Sequence, residues 1–254
     1  MELLYSRTNE SLAAIVVGLD LKSDDIVYAI GGSGDQAFAI LEYAGKVIAV
    51  DNNPLQIKLM KERVKLLERN WGKKEFLDII EYGIYDDMYK GENNTRFGEF
   101  NLRRRNAYFN RSNQKLGVEY IHQNRISNIS SKLDSLEIIQ GDIFQEIQKA
   151  EKFSKVYLSS FNTSDWDYNG DLKIGLKNLF KKLDSNGIIY LDSSFFERVT
   201  CFYDGHGGNG MPPGFSVDQK LTNLVRDIEA TSIFNSGDNK DLSSMFSPLI
   251  LRKK

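Results

Sequence analysis

Apolar and polar positions alternate between two periods along much of this chain, and the change from one to the other is sharpest between Ile26 and Gln56. The apolar run Ile26 to Ile30 predicts a strand; it stops at Gly31, Gly32, Ser33 and Gly34, and Ala37, Ile40 and Leu41 then follow at helical spacing. Val47 to Val50 predict the next strand, which delivers Asp51 at its tip. Upstream, Leu12, Ile15, Val16 and Leu19 predict a helix within residues 8 to 21. Downstream, Asn52 and Asn53 precede Pro54, a good cap and first turn for a helix that carries Leu55, Leu59, Val64 and Leu67 to about Arg69. A short helix, Lys74 to Tyr82, is expected after Gly72.

The rhythm breaks between residues 84 and 133, a polar segment with Arg103, Arg104, Arg105, Tyr108 and Phe109, read as a helical insertion that covers the substrate. It resumes with strands at Leu136 to Ile139 and Lys155 to Ser160, separated by a helix that reaches Ala150. Leu172, Leu176, Leu179 and Leu183 predict another helix, Asn186-Gly187 a turn, and Ile188 to Leu191 a strand running into Asp192. The segment Gly205 to Phe215 is too rich in Gly and Pro for regular structure; a helix near Val217 to Glu229 and two final strands are expected to close the chain. Strands alternating with helices mean an α/β class with a mainly parallel sheet, in one domain spanning 1–254.

Composition changes this picture little. The 41% hydrophobic content and net charge of −2 describe a globular chain with no general affinity for polyanions, although the insertion holds nine Lys/Arg against five Asp/Glu. Nucleic acid is therefore a minor expectation, confined to that segment. Cys201 is the single cysteine, so no internal disulfide exists, and no redox role is assigned. The N-terminus lacks the pattern of a signal peptide and no apolar run approaches the ~20 residues that cross a bilayer. A cytoplasmic protein is expected, with peripheral membrane contact left open.

The central unit carries the chemistry. Glycines allow a tight turn and close approach of a ligand, and an acidic residue roughly ~20 positions later can hold ribose hydroxyls, the part assigned to Asp51. Gly32-x-Gly34-x-x-Ala37 alone also fits a dinucleotide site. The end of the third strand favours S-adenosylmethionine: Asp142 can accept from an adenine amino group, flanked by Ile143 and Phe144, or it can simply cap the next helix. The run Leu158 to Trp166 should lie beyond the carboxyl end of the fourth strand, facing the reacting centre, which makes Asn162 and Asp165 the candidates for orienting an acceptor or taking its proton. His122 and His206 share no metal-ligand spacing with other donors, so no metal is expected.

These residues resemble the S-adenosylmethionine:diacylglycerol aminocarboxypropyl transferases, the betaine-lipid synthases. The likeness rests on Tyr5-Ser6, on IGGSGDQA from Ile30 to Ala37, on AVDNNPLQ from Ala49 to Gln56 and on LSSFNTSDW from Leu158 to Trp166, and it extends to about residue 192. Ordinary methyltransferase loops have an acidic residue two positions before the first glycine; here that position is Ala29, which favours the aminocarboxypropyl group. The resemblance implies a Rossmann-like class I methyltransferase fold, with a mainly parallel seven-stranded sheet and a helical insertion at about 84–133. It implies S-adenosylmethionine as cosubstrate and a small or amphiphilic acceptor. The binding set expected from the residues and the resemblance together starts with Tyr5, the loop Gly31, Gly32, Ser33 and Gly34, and Asp35 with Gln36, which hold the turn or meet the amino-acid end. Asp51, Asn52, Asp142, Ile143 and Ser160 complete it.

Three outcomes remain open at this point. Attack on the γ carbon of the methionine chain transfers the aminocarboxypropyl group and releases methylthioadenosine; attack on the methyl group methylates; attack by the cosubstrate's own amine closes an azetidine carboxylate. Alignment at about 3–3.5 Å selects among them, and sequence spacing does not. A binding protein that retains the nucleotide site without turnover is the remaining alternative.

Overall fold

The computed structural model describes residues 10–68, 125–158, 171–192, 213–234 and 247–254. The expected helix Lys74 to Tyr82, most of the insertion and the Gly- and Pro-rich loop up to residue 212 lie outside them.

The first helix, α1 (Leu12–Gly18), starts at Ser11, whose hydroxyl accepts from the Ala14 N–H. Strand β1 (Ile26–Ile30), helix α2 (Asp35–Leu41), strand β2 (Lys46–Asp51) and helix α3 (Pro54–Glu68) follow in the order the sequence predicts. After the undescribed segment come α4 (Arg125–Ser130), a 3₁₀ turn (Leu133–Ser135), β3 (Leu136–Gln140), α5 (Ile143–Lys149), β4 (Phe153–Tyr157), α6 (Asp171–Lys182) and β5 (Leu183–Asp192). The chain closes with β6 (Phe215–Val217), α7 (Gln219–Phe234) and β7 (Pro248–Lys253).

The seven strands form one sheet in the order β3-β2-β1-β4-β5-β7-β6. Pairings from β3 across to β5 are parallel, and β7 runs antiparallel to both β5 and β6. Successive strand residues point to opposite faces, and here both faces are apolar. Val27, Ala29, Val47, Ala49, Ile188 and Tyr190 join the core layer under α1, α2, α3 and α7. Tyr28, Ile48, Val50, Ile189 and Leu191 join the layer under α5 and α6. Helices on both faces explain why these strands read as unbroken hydrophobic runs.

Three boundaries differ from the sequence expectation. The fourth strand, Phe153–Tyr157, starts two residues before Lys155, because Phe153 is buried opposite Leu183, and the expected end at Ser160 lies outside the described residues. The turn at Asn186-Gly187 is absorbed into β5: the register steps from Phe153↔Leu183 to Lys155↔Ile188, and Asn186 takes a left-handed φ of 64° in the irregularity. The two last strands do not follow the last helix together. Phe215 and Val217 form β6 ahead of α7, which starts where the Asp218 carboxylate accepts from the Leu221 N–H. Val217 is thus a strand residue, and the helix runs on past Glu229 to Phe234.

The order of strands reverses between β1 and β4: the chain first builds outward to β3, then returns to the other side of β1. A crevice opens at such a point beyond the carboxyl ends of the strands. The glycine loop, Asp51, Gly141-Asp142 and Leu158 all belong to that edge. The described flanks of the insertion do not. Helix α3, 15 residues or about 22 Å long, carries the chain back to the opposite edge. There the chain returns as α4, with the Arg125 guanidinium on Glu42 at the end of α2 (2.8 Å) and Lys132 Nζ on the carbonyls of Glu42 and Ala44. The covering role expected for residues 84–133 therefore begins from an anchorage remote from the glycine loop.

Candidate cosubstrate site at the glycine loop

The loop between β1 and α2 is tied to the sheet by its first residue, whose N–H donates to the Val50 carbonyl at 2.8 Å. Gly34 N–H donates back to Gly31 O at 2.8 Å, which closes the turn. Gly32 and Gly34 take left-handed φ values of 49° and 88°, a conformation that glycine adopts without steric cost. The glycines differ in what surrounds them. A Cβ on Gly31 would come within 2.6 Å of Met60 Cε, and one on Gly34 within 2.8 Å of Met60 Cγ, so both make room for the α3 side chain below. A Cβ on Gly32 would meet only the Gln36 amide, at 3.9 Å. That is ordinary contact, so Gly32 is the least crowded of the three, although all of them are buried.

Asp51 is the pivot of the arrangement. Its Oδ2 accepts from the Gly32 N–H at 2.8 Å and its Oδ1 from the Asn53 N–H at 2.9 Å, so one carboxylate joins the loop to the start of α3. Burial pushes its pKa above the ordinary carboxylate value, against the lowering effect of the two backbone donors. Each oxygen retains a second lone pair for a further donor. Asn53, the N-cap of α3, accepts from the Leu55 N–H at 2.9 Å, while Asn52 is exposed at the tip.

Asp35 and Gln36 part company. Asp35 is inaccessible to solvent, with Oδ2 accepting from the Ser33 hydroxyl at 3.0 Å and Oδ1 from Arg63 Nη1 at 3.1 Å. It holds the turn from inside. Gln36 lies beside Gly32 and touches the Ser33 hydroxyl only at 3.5 Å. Two further residues of α3 reach the loop: Gln56 Nε2 donates to the Gly32 carbonyl at 2.6 Å, and Arg63 Nη1 also donates to the Ser33 carbonyl. Arg63 was not among the expected site residues. Its signal is legible in retrospect, because it continues the buried stripe of α3 through Gln56, Met60, Arg63 and Leu67, and a charge on such a stripe demands a buried partner.

Asp142 caps α5, with Oδ1 accepting from the Gln145 N–H at 2.9 Å. Its position is nonetheless at the candidate edge: the adjacent Gly141 N–H donates to the Asp51 carbonyl at 3.0 Å. Ile143 and Phe144 are both buried in the core layer, Phe144 against Gly175 of α6. Tyr5, Ser160, Asn162 and Asp165 lie outside the described residues.

The order β3-β2-β1-β4-β5-β7-β6 with β7 reversed decides the architecture. The chain has the Rossmann-like class I methyltransferase fold. No family model matches the chain, and no curated protein matches it. Solved structures with a similar fold include SMU.1697c from Streptococcus mutans in complex with SAH, at 10% identity over 96% of both chains with a TM-score of 0.48. An rRNA methylase from Streptococcus thermophilus matches at 9% identity over 96% of this chain and 94% of its own, with a TM-score of 0.45. The N-methyltransferase NodS from Bradyrhizobium japonicum matches at 10% identity over 95% and 92%, with a TM-score of 0.41. Among the described residues, no helix is long and apolar enough to cross a membrane.

Proposed function

We propose that this protein is an S-adenosylmethionine-dependent transferase that moves the aminocarboxypropyl group to a small or amphiphilic nucleophile and releases methylthioadenosine. The observation that carries the reading is the coupling of Asp51 to Gly32 at 2.8 Å across the crevice edge. A ribose-binding carboxylate and the loop that approaches the amino-acid end are set by one another, as a cosubstrate with an adenosine half and an amino-acid half requires. At Gly32 a side chain would meet only the Gln36 amide, at 3.9 Å, which makes it the least crowded of these glycines for the approach of such a ligand. The bound sulfonium would supply three electrophilic carbons, of which the site selects one by alignment.

In this reading Asp51 accepts from the ribose hydroxyls, and Gly31 to Gly34 with Gln36 lie along the amino-acid half. Asp142 and Ile143 sit at the adenine side, with Asn52 at the rim. Tyr5 and Ser160 complete the pocket, and Asn162 and Asp165 orient the acceptor. Preference for the aminocarboxypropyl group is supported by Ala29, which is completely buried in the core layer where ordinary methyltransferase loops have an acidic group. The test is incubation with S-adenosylmethionine and candidate acceptors, with separation of products. Methylthioadenosine formed in step with a modified acceptor is expected. S-adenosylhomocysteine instead would assign methyl transfer, azetidine carboxylate without acceptor would assign cyclisation, and binding without any product would leave a sensor.

A further inference from the structure

Helix α6 presents a basic outer face. From Leu172 to Lys182 the sequence has four lysines and no acidic residue, although the whole chain carries a net charge of −2. Gly175, Leu176 and Leu179 are buried, Gly175 under Phe144 of α5 and the two leucines in the core layer of that side. Ile174, Lys177 and Lys181, spaced three and four residues apart, form one exposed stripe about 10 Å long. Ile174 is 55% exposed, the most of any large hydrophobic side chain among the described residues. Lys182 Nζ donates to the carbonyls of Gln148 and Ala150, which fixes the end of α5 beside the end of α6 and adds the exposed Lys152 to the basic face. Lys152, Lys177 and Lys181 form no ion pair with any described residue. Of the nearby acids, Glu146 is held by Lys149 at 2.6 Å, which leaves Glu151 and Asp184 against these lysines.

We propose that this face docks on an anionic lipid bilayer, with the lysines on the headgroup charges and Ile174 in the headgroup layer. Three features favour that occupant. Like charges would oppose a second copy of the same face. The outward residues of the stripe include neither arginine nor an aromatic ring, so the face lacks the bidentate phosphate grip and the stacking platforms with which proteins hold single-stranded RNA. Ammonium groups beside an exposed aliphatic side chain are the pairing that suits the boundary of a charged bilayer, where the first meet lipid anions and the second leaves water. The docking stands apart from the transferase reading, because it needs no cosubstrate.

The test is co-sedimentation of the full chain with vesicles of phosphatidylcholine alone and of equimolar phosphatidylcholine and phosphatidylglycerol. Wild type should bind the mixed vesicles, and more weakly as salt is raised, and leave the neutral ones. Lys177→Gln with Lys181→Gln should lower affinity for the mixed vesicles about 25-fold, about fivefold for each lysine near such a surface. Ile174→Ser should lower it about fivefold through the apolar area no longer withdrawn from water. Lys58→Gln with Lys61→Gln makes the same change of net charge on the exposed side of α3, over the opposite face of the sheet, and should leave binding as in wild type. All these positions are at the surface, so the variants should melt as wild type does. Failure of wild type to bind the mixed vesicles, equal binding to both kinds, or an equal loss in the two lysine variants would each overturn the proposal. Retention on single-stranded RNA that the α6 variant loses, with its vesicle binding unchanged, would overturn it in favour of a nucleic-acid face.

Discussion

Helix α2 carries a buried arginine–carboxylate pair at each end, and the two pairs have different consequences. At its start Asp35 meets Arg63 at 3.1 Å, and at its end Glu42 meets Arg125 at 2.8 Å; all four side chains are at most 2% exposed. The first pair is bonded to the backbone of the glycine loop through Ser33. The second is bonded to the Tyr43 hydroxyl and lies beside Lys132, where α4 rejoins the body of the protein. The same chemistry thus holds the glycine loop at one edge of the sheet and docks a returning segment at the other. Buried ion pairs return little net stability over apolar residues, so their worth lies in what they hold in place.

The largest effect expected is at the remote pair. Arg125→Met leaves the Glu42 carboxylate buried without its guanidinium and should cost about 3–5 kcal/mol in a urea unfolding experiment. Binding of S-adenosylhomocysteine by the protein that remains folded should be unchanged. A matching loss of affinity would erase the distinction between the two ends.

Next is Asp51→Ala, which removes the proposed ribose acceptor and the hold on Gly32 together. Affinity for S-adenosylhomocysteine should fall about 100-fold by calorimetry, the sum of two or more hydrogen bonds to a charged acceptor. The melting temperature should change far less than in the Arg125 variant. Gly32→Ala is a milder probe of the same edge. Its left-handed φ costs about 1–2 kcal/mol in stability, while its methyl group meets only the Gln36 amide, at ordinary contact distance. A binding loss greater than the stability loss would mark that side of the loop as ligand-facing.

Acid should also separate the regions. The Asp51 pKa is raised in the folded protein, so between 3.8 and that higher value the native state holds a proton that the unfolded chain does not. Its contribution to stability therefore falls as pH rises through this window. Ribose hydroxyls donate to the ionised carboxylate, so cosubstrate affinity should fall as pH drops through the same window. In Asp51→Asn that dependence should be flat.

The smallest expected effect belongs to Lys155, buried at the remote edge with its Nζ 4.0 Å from Asp25. Burial lowers its pKa below 10.5, against attraction from Asp25 and Asp20. Between the lowered value and 10.5 the unfolded chain binds more protons, so this group's contribution to stability rises with pH. Lys155→Met should weaken that rise in unfolding measurements and leave ligand affinity untouched.

Much of the glycine-loop edge is legible without coordinates, because its signals are local. The strand, glycine turn, helix, strand and acidic tip from Ile26 to Asp51 lie within one short stretch, and their periods differ sharply. Spacing allows Asp35 two roles, since it does not tell which side of a helix start faces the core. Arg63 was missed for a similar reason: read alone it is an ordinary charge on a helix, and only its partner 28 residues away explains it.

What the sequence determined by itself is the alternation of elements, the parallel core of the sheet and the place of Asp51 beside a glycine loop, all set by side-chain periodicity and backbone freedom. What only the tertiary structure decided is non-local. The reversed β7 and its neighbour β6 depend on which edge of β5 is left to pair, and the anchorage of the insertion depends on Arg125 finding Glu42, 83 residues earlier. The support of the loop by Gln56 and Arg63 likewise exists only once α3 is folded back against α2, because a buried donor is satisfied by whichever acceptor packing brings to it.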